Sequence, residues 1–362
     1  MTIEERLKLL RTVGEEIISE NELKNLLISG EEIIAYDGFE PSGQMHIAQG
    51  ILRSININKL IKAGITFKML VADWHAFANK KMGGDLEKIK IVGKYFIEIW
   101  KSVGLDIDNV EFVWASDLVK DSEYWKLVLQ VAKTNSIRRF IRTAEIMGRE
   151  ESFDLSAAQI IYSCMQTADI FTLGAKITQL GMDQRKVNVL AREVGPQLGF
   201  WKPVIINHHM LLGLGKPPKT TSTVKRAIEM KMSKSNPSSA IFMTDSDEEV
   251  REKIGKAWCP TGEIKENPVL EYFKYIVFES LDKLDTKGLT IERDEKFGGN
   301  LVLSSYEELE KLFVDNKIHP QDLKTCLSFY INKLLDPVRS HFERNPYARS
   351  LLDQVKSFQV TK

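Results

Sequence analysis

Two short stretches of the chain carry residue types suited to polyphosphate chemistry. Lys231-Met232-Ser233-Lys234-Ser235 spaces two lysines three residues apart in a Ser-rich segment. Lysines so placed on a loop can close over phosphates and neutralise charge that develops as a phosphate bond breaks. The second stretch is Pro41-Ser42-Gly43-Gln44-Met45-His46-Ile47-Ala48-Gln49, between a predicted strand and a predicted helix. Backbone N–H groups at such a helix start favour anions. Gly38 and Gly43 allow backbone to approach a ligand closely, and His46 in the first turn can hydrogen-bond a phosphate oxygen. Each stretch alone has a plainer reading, a solvated lysine loop or a locally bonded histidine.

A third constellation lies on the helix predicted over 156–173. Tyr162, Gln166 and Asp169 stand at i, i+4 and i+7. At 3.6 residues per turn they fall within about 60° of one another and share a face. A polar stripe beside Ile160, Ile161 and Ile170 suits a pocket wall, and an ordinary polar helix face is the alternative. Gln184 follows in Gly181-Met182-Asp183-Gln184-Arg185-Lys186, at the start of the next predicted helix, and Tyr36 ends the first predicted strand.

The chain of 362 residues is 43% hydrophobic and 28% charged, which suits a globular protein with two domains or one large α/β domain and an appendage. Fifty basic residues balance fifty acidic ones, so no global positive field argues for nucleic acid. Local asymmetry exists: residues 216–234 hold six basic residues against Glu229 alone, and Lys133, Arg138, Arg139, Arg142 and Arg149 form a second cluster. The cysteines, Cys164, Cys259 and Cys326, have no metal-ligand spacing and read as reduced thiols. No metal site is expected; the pair His208-His209 lacks a third ligand and could instead line a base pocket. No run reaches the ~18 apolar residues of a membrane helix, and the acidic, amphipathic start MTIEERLKLL does not resemble a targeting peptide.

The elements that must position these residues follow from periodicity. An amphipathic helix is predicted over 3–28, and strands over 33–36, 67–72, 110–114, 176–179 and 203–207. Helices are predicted over 45–62, 86–103, 156–173 and 184–194, with further helices between 122 and 149. Buried strands alternating with helices imply a Rossmann-type parallel sheet. Residues 211–240, rich in Gly, Pro, Ser, Thr and Lys, read as a loop. Helices are then expected over 247–257, 268–279, 305–315, 320–335 and 337–358. The expected organisation is an α/β domain over 1–245, with an N-terminal helix and a helical insertion at about 122–149, then an all-helical C-terminal domain over 246–362.

Taken together, the two phosphate-type stretches resemble the signatures of class I aminoacyl-tRNA synthetases. Lys231 to Ser235 matches in full. His46-Ile47-Ala48-Gln49 keeps the first His and the Ile of the His-Ile-Gly-His signature, with Ala48 for Gly and Gln49 for the second His. The segments 36–43, 71–86, 181–193 and 231–243 resemble the plant and protist cytoplasmic branch of the tyrosyl-tRNA synthetases. The resemblance implies ATP, carried with Mg2+ as a substrate complex, and no tightly bound cofactor. It implies an ATP site of Gly38, Glu40, Gly43, His46, Gln49, Lys231, Met232, Ser233, Lys234 and Ser235, with His46, Gln49, Lys231 and Lys234 acting in catalysis. It implies a tyrosine site in which Tyr36 and Asp169 hold the phenol hydroxyl and Tyr162, Gln166 and Gln184 the α-amino group, with Asp73 beside them. It assigns tRNA contacts to Arg185 at the acceptor stem and to Phe297, His319 and Asp322 at the anticodon, in Lys296-Phe297-Gly298-Gly299-Asn300 and His319-Pro320-Gln321-Asp322. It also implies L-tyrosine and tRNA(Tyr) as substrates, a homodimer joined through the insertion, a cytoplasmic location and no membrane contact. Two rivals are a tryptophanyl enzyme on the same fold and a homologue that binds RNA without catalysis.

Overall fold

The computed structural model describes residues 1–143, 155–219, 226, 230–232 and 237–358. Six strands form the main sheet: β1 (Glu16–Ile18), β2 (Ile34–Phe39), β3 (Thr66–Val71), β4 (Val110–Trp114), β5 (Ile177–Thr178) and β6 (Val204–Asn207). Their order is β1-β6-β5-β2-β3-β4; β1 runs antiparallel to β6 and the other neighbours are parallel. The chain leaves β2 on one side towards β3 and reaches β5 on the other. The crevice at the carboxyl ends of β2 and β5 is therefore the topological switch point, where open α/β sheets bind ligands.

Alternate residues of the central strands face opposite layers. Ala35, Phe67, Met69 and Val71 join one apolar core with α1 (Ile3–Arg11), α2 (Glu20–Ile28), α3 (Arg53–Lys62), α5 (Leu86–Ser102) and the C-terminal helices. Tyr36 and Leu70 join the other core, with α7 (Ser122–Thr134), α9 (Ala157–Thr172) and α10 (Arg185–Val194). The short helix α4 (Asp73–Ala78) follows β3 directly.

The amino-terminal segment differs from the single helix expected over 3–28. Thr2 with Glu5, and Ser19 with Glu22, each form a reciprocal capping box, so two helix starts are written into this segment. The chain between them turns at Thr12 and supplies β1, which pairs with β6 at the sheet edge. The C-terminal part is helical, with one small addition: Leu289–Ile291 pairs antiparallel with Leu301–Leu303. The two last predicted helices also differ in extent. A 25-residue helix, Pro320–Arg344, runs through Pro337, and a second, Pro346–Ser357, follows. Burial of Leu334, Leu335, Val338 and Phe342 around Pro337 outweighs the roughly 3 kcal/mol that an interior proline costs a helix.

The phosphate-type stretch over 41–49 is joined by its backbone to residues 241–243, which follow the stretch over 231–235. Ile47 N–H donates to the Ile241 carbonyl at 2.9 Å, and Met243 N–H donates to the Met45 carbonyl at 2.8 Å. This pairing draws Met243 over Gly50, where a Cβ would stand 2.3 Å from the Met243 Sδ and 2.7 Å from its Cγ. The backbone here is a π-turn, Ala48–Leu52, that leads into α3.

A second junction lies just past β6. His209 Nδ1 is 3.2 Å from Glu15 Oε2 and its Nε2 is 3.1 Å from Glu271 Oε2, while its ring stacks on Tyr275 with centroids 4.3 Å apart. Leu212 N–H also donates to Glu271, and the Tyr272 hydroxyl donates to the Leu212 carbonyl. One imidazole thus ties the β1 edge, the loop after β6 and the helical part. Burial opposes its charge, but the two carboxylates outweigh that and lift His209 to about 9.

Two expectations follow. Gly50→Ala forces Met243 away and lowers stability by about 1–3 kcal/mol in denaturant unfolding. For His209, a folded value raised above the unfolded one stabilises fully below about pH 6.5 and loses that contribution as pH rises through about 9. His209→Gln is therefore expected to cost on the order of 2 kcal/mol near pH 6 and little near pH 10, read from unfolding midpoints at the two pH values.

Candidate active site

A cavity of about 280 Å3 opens at the switch point. Tyr36 and Gly38 on β2, His46 and Gln49 past it, His75 on α4, Tyr162, Gln166 and Asp169 on α9, and Asp183 and Gln184 after β5 all line it. Lys231 and Met232 line it from the loop after residue 211. The structure thus brings together residues from all three sequence constellations.

Asp169 is the focus of the apolar end. It is fully buried, with a polar neighbour beside each of its oxygens. The Tyr124 hydroxyl donates to Oδ1 at 2.8 Å, and His75 Nε2 lies 2.9 Å from Oδ2. Burial works against a charged His75, but the Asp169 carboxylate outweighs it and holds the imidazole above its usual value. The Tyr36 hydroxyl is buried at the same end without a well-formed hydrogen bond, as is Gln166 Oε1. Burial, then the Asp169 charge, hold the Tyr36 phenol well above its ordinary value, so it stays protonated. A carboxylate and a protonated phenol side by side at a cavity end suit a ligand hydroxyl, which can donate to one and accept from the other.

Further out, Gln166 Nε2 donates to Gln184 Oε1 at 3.1 Å, and Tyr162 packs edge-on against His75. Burial, then the Glu40 carboxylate, raise the Tyr162 phenol well above its usual value. Glu40 accepts two hydrogen bonds from Asn79 Nδ2, at 2.9 and 3.1 Å. These amide oxygens, the phenol and the carboxylate make an electronegative mid-section suited to an ammonium group.

The wide end carries the cations. Lys231 Nζ pairs with Asp183 Oδ2 at 2.8 Å. His46 and Gln49 stand opposite, with Gln49 carbonyl held by Trp100 Nε1 at 3.1 Å. Gly43 takes a positive φ of 67°, which lets the loop turn sharply before His46. Ser233, Lys234 and Ser235 lie outside the described residues. Among the described residues, no group of His, Cys, Asp and Glu is placed to hold a metal ion.

Several residues take places that sequence reading did not assign. Asp37 is fully buried against Arg53 Nε at 2.8 Å, and burial, opposed by Arg53, pushes its carboxyl up to about 6. His208, which the sequence reading did put at a pocket wall, lines the cavity beside Gln179 Nε2 at 2.7 Å, and burial first, then Arg53, push it down to about 3, so it is neutral. His75, Tyr124, Asn79 and Asp183 each touch an expected site residue, and no periodicity marked them, because their partners lie 39 to 94 positions away or on other elements. Asp73 is not among the residues lining the cavity; its Oδ1 accepts from Trp74 N–H at 3.0 Å and Ser116 N–H at 2.9 Å, so it anchors the starts of two helices.

The residues expected to meet tRNA lie elsewhere. Arg185 Nε binds both oxygens of Glu16, at 3.0 and 2.8 Å, and Asn207 Nδ2 joins them at 3.0 Å. Phe297 is 63% exposed, on a tight turn before Gly298. His319 caps the helix Pro320–Arg344, accepting from Gln321 N–H through Nδ1, and Asp322 sits in its first turn.

Comparison with known proteins agrees with this geometry. The family described as tRNA synthetases class I (W and Y) matches residues 29–336. Tyrosine--tRNA ligase 1, cytoplasmic, of Arabidopsis thaliana is 50% identical over 363 residues, covering 99% of this chain and 90% of its own. Among solved structures, the Pyrococcus horikoshii tyrosyl-tRNA synthetase complexed with L-tyrosine superposes with a TM-score of 0.90 at 38% identity, covering 98% of this chain and all of its own. The Leishmania major tyrosyl-tRNA synthetase in complex with tyrosinol gives 0.88 at 45% identity over 99% of this chain, which spans about half (53%) of that longer one. With the signatures, the cavity and these relatives in agreement, the chain belongs to the class I tRNA synthetases, in their tyrosyl branch.

Proposed function

We propose that the cavity binds tyrosine with its phenol at the Asp169 end and its carboxylate towards the cationic end. The reaction is tyrosine–tRNA ligation. Tyrosine and ATP give tyrosyl-adenylate and pyrophosphate, and the tyrosyl group then passes to the 3′ end of tRNA. The observation that carries the orientation is that Tyr36 and Asp169 are both buried, both line the cavity, and lie close enough for the Asp169 charge to act on the Tyr36 phenol. The α-amino group falls to Tyr162, Gln166 and Gln184.

No side chain serves as nucleophile, since the tyrosine carboxylate itself attacks the α-phosphorus. Catalysis is positioning plus stabilisation of the leaving pyrophosphate. His46, Lys231 and Lys234 supply charge or donors, and Gln49 offers an amide N–H where the family signature has a second histidine. Gly38, Glu40, Gly43, Met232, Ser233 and Ser235 complete the nucleotide site, with Mg2+ arriving on ATP. Lys231 reaches the phosphates by exchanging its bond to Asp183 for them.

A site built to hydrogen-bond a hydroxyl rejects the analogue that lacks it, and tyrosyl-tRNA synthetases are themselves the standard case of that effect. Phenylalanine would leave the Tyr36 hydroxyl and Asp169 Oδ2 without a hydrogen-bond partner in a dry environment. Indole places its N–H donor differently and is excluded by shape. The part over 246–362 reads the anticodon, with Phe297 stacking on a base and His319 and Asp322 beside it, while Arg185 meets the acceptor stem. Leu129, Ile137 and Ile161, exposed on and near the insertion, support a homodimer joined there. The cytoplasmic name of the Arabidopsis relative supports the same location for this chain.

Pyrophosphate exchange into ATP, with tyrosine, phenylalanine and tryptophan supplied in turn and no tRNA, tests this reading. Exchange is expected with tyrosine alone. Exchange with tryptophan would keep the fold and discard the pocket assignment; no exchange in a folded sample would overturn the activity.

A further inference from the structure

One buried tyrosine outside the cavity wall touches its key acidic group. Tyr124 lies on α7, in the insertion whose outer face is the proposed dimer surface. It does not line the cavity, yet its hydroxyl donates to Asp169 Oδ1 at 2.8 Å. Tyr124 is 2% exposed and Asp169 fully buried, so this bond forms out of water. The ring is fixed by packing: it meets Trp125 edge-on at 5.8 Å and lies in the core formed by α7, α9 and α10. Asp169 rides on α9, Tyr124 reaches it from α7, and His75 approaches the other oxygen from α4 at 2.9 Å.

We infer that Tyr124 is a positioning residue for amino-acid selection, its hydroxyl fixing the Asp169 carboxylate in the orientation that receives the substrate phenol. The inference rests on reading Asp169 as the acceptor of that phenol. An aspartate has two soft torsions, and a carboxylate with no bonded oxygen can swing about its Cβ–Cγ bond. The Tyr124 hydroxyl bonds Oδ1 while the His75 imidazole stands beside Oδ2, so the remaining lone pairs are presented in one direction. Each carboxylate oxygen accepts more than one hydrogen bond, so Tyr124 does not compete with the substrate. Burial and the Asp169 charge keep the Tyr124 phenol protonated and therefore a donor. A tyrosine present only for packing would need no hydroxyl there, and leaving that hydroxyl unpaired would be costly.

Tyr124→Phe removes the hydroxyl and keeps the ring. In pyrophosphate exchange by the full-length protein, the ratio of kcat/KM for tyrosine over phenylalanine is expected to fall roughly tenfold or more, as for loss of a hydrogen bond to a charged group. KM for ATP is expected to stay unchanged, which separates the effect from general loosening of the fold. Asp169→Asn and the double variant run in parallel. If Tyr124 acts through Asp169, Tyr124→Phe has little further effect on the ratio in the Asp169→Asn background. An unchanged ratio in Tyr124→Phe beside a collapsed one in Asp169→Asn would overturn the inference and leave the pocket reading standing. An unchanged ratio in Asp169→Asn would overturn the reading of the pocket itself.

Discussion

The site depends on one buried carboxylate being paired and aimed. Asp169 has no exposed surface, and an isolated charge in such a place would be expelled or neutralised. The Tyr124 hydroxyl donates to one of its oxygens and the His75 imidazole lies 2.9 Å from the other, each reaching it from a different helix. Those helices come from different parts of the chain: α4 follows β3, and α7 belongs to the insertion. The proposed selection of a hydroxyl-bearing substrate therefore requires α4, α7 and α9 to be packed together.

On the proposed function the other end has a different logic. Lys231 there is partly exposed and carried on a loop, which suits a group that must meet a mobile, highly charged substrate and release a product. Order is supplied by the backbone pairing of residues 45–47 with 241–243, which fixes the His46 segment against the strand-like stretch that follows Lys231 to Ser235. His209 adds a charged tie among the sheet edge, the loop after β6 and the helical part. Movements in the helical part can thus be felt at the cavity wall, since Met210 and Leu211, next to His209, line it.

Much of this was legible in the sequence because it is local. Tyr162, Gln166 and Asp169 share a helix face, and helical spacing alone places them together. The alternation of buried strands with helices reveals the parallel sheet. What periodicity missed is long-range or reciprocal. Tyr124 pairs with a residue 45 positions on, and Asn79 with one 39 positions back. Asp73, placed beside the tyrosine site by the resemblance alone, serves two backbone N–H groups. The break in the first predicted helix was present as the capping residues Ser19 and Glu22, but the continuous apolar stripe through Leu23 and Leu27 masked it.

The most direct measurement is a structure with bound tyrosine. The account predicts the phenol oxygen within about 3 Å of both Asp169 and the Tyr36 hydroxyl, with the α-amino group against Tyr162, Gln166 and Gln184. A ligand bound in reverse, with its ammonium on Asp169 and its phenol towards His46, would contradict it.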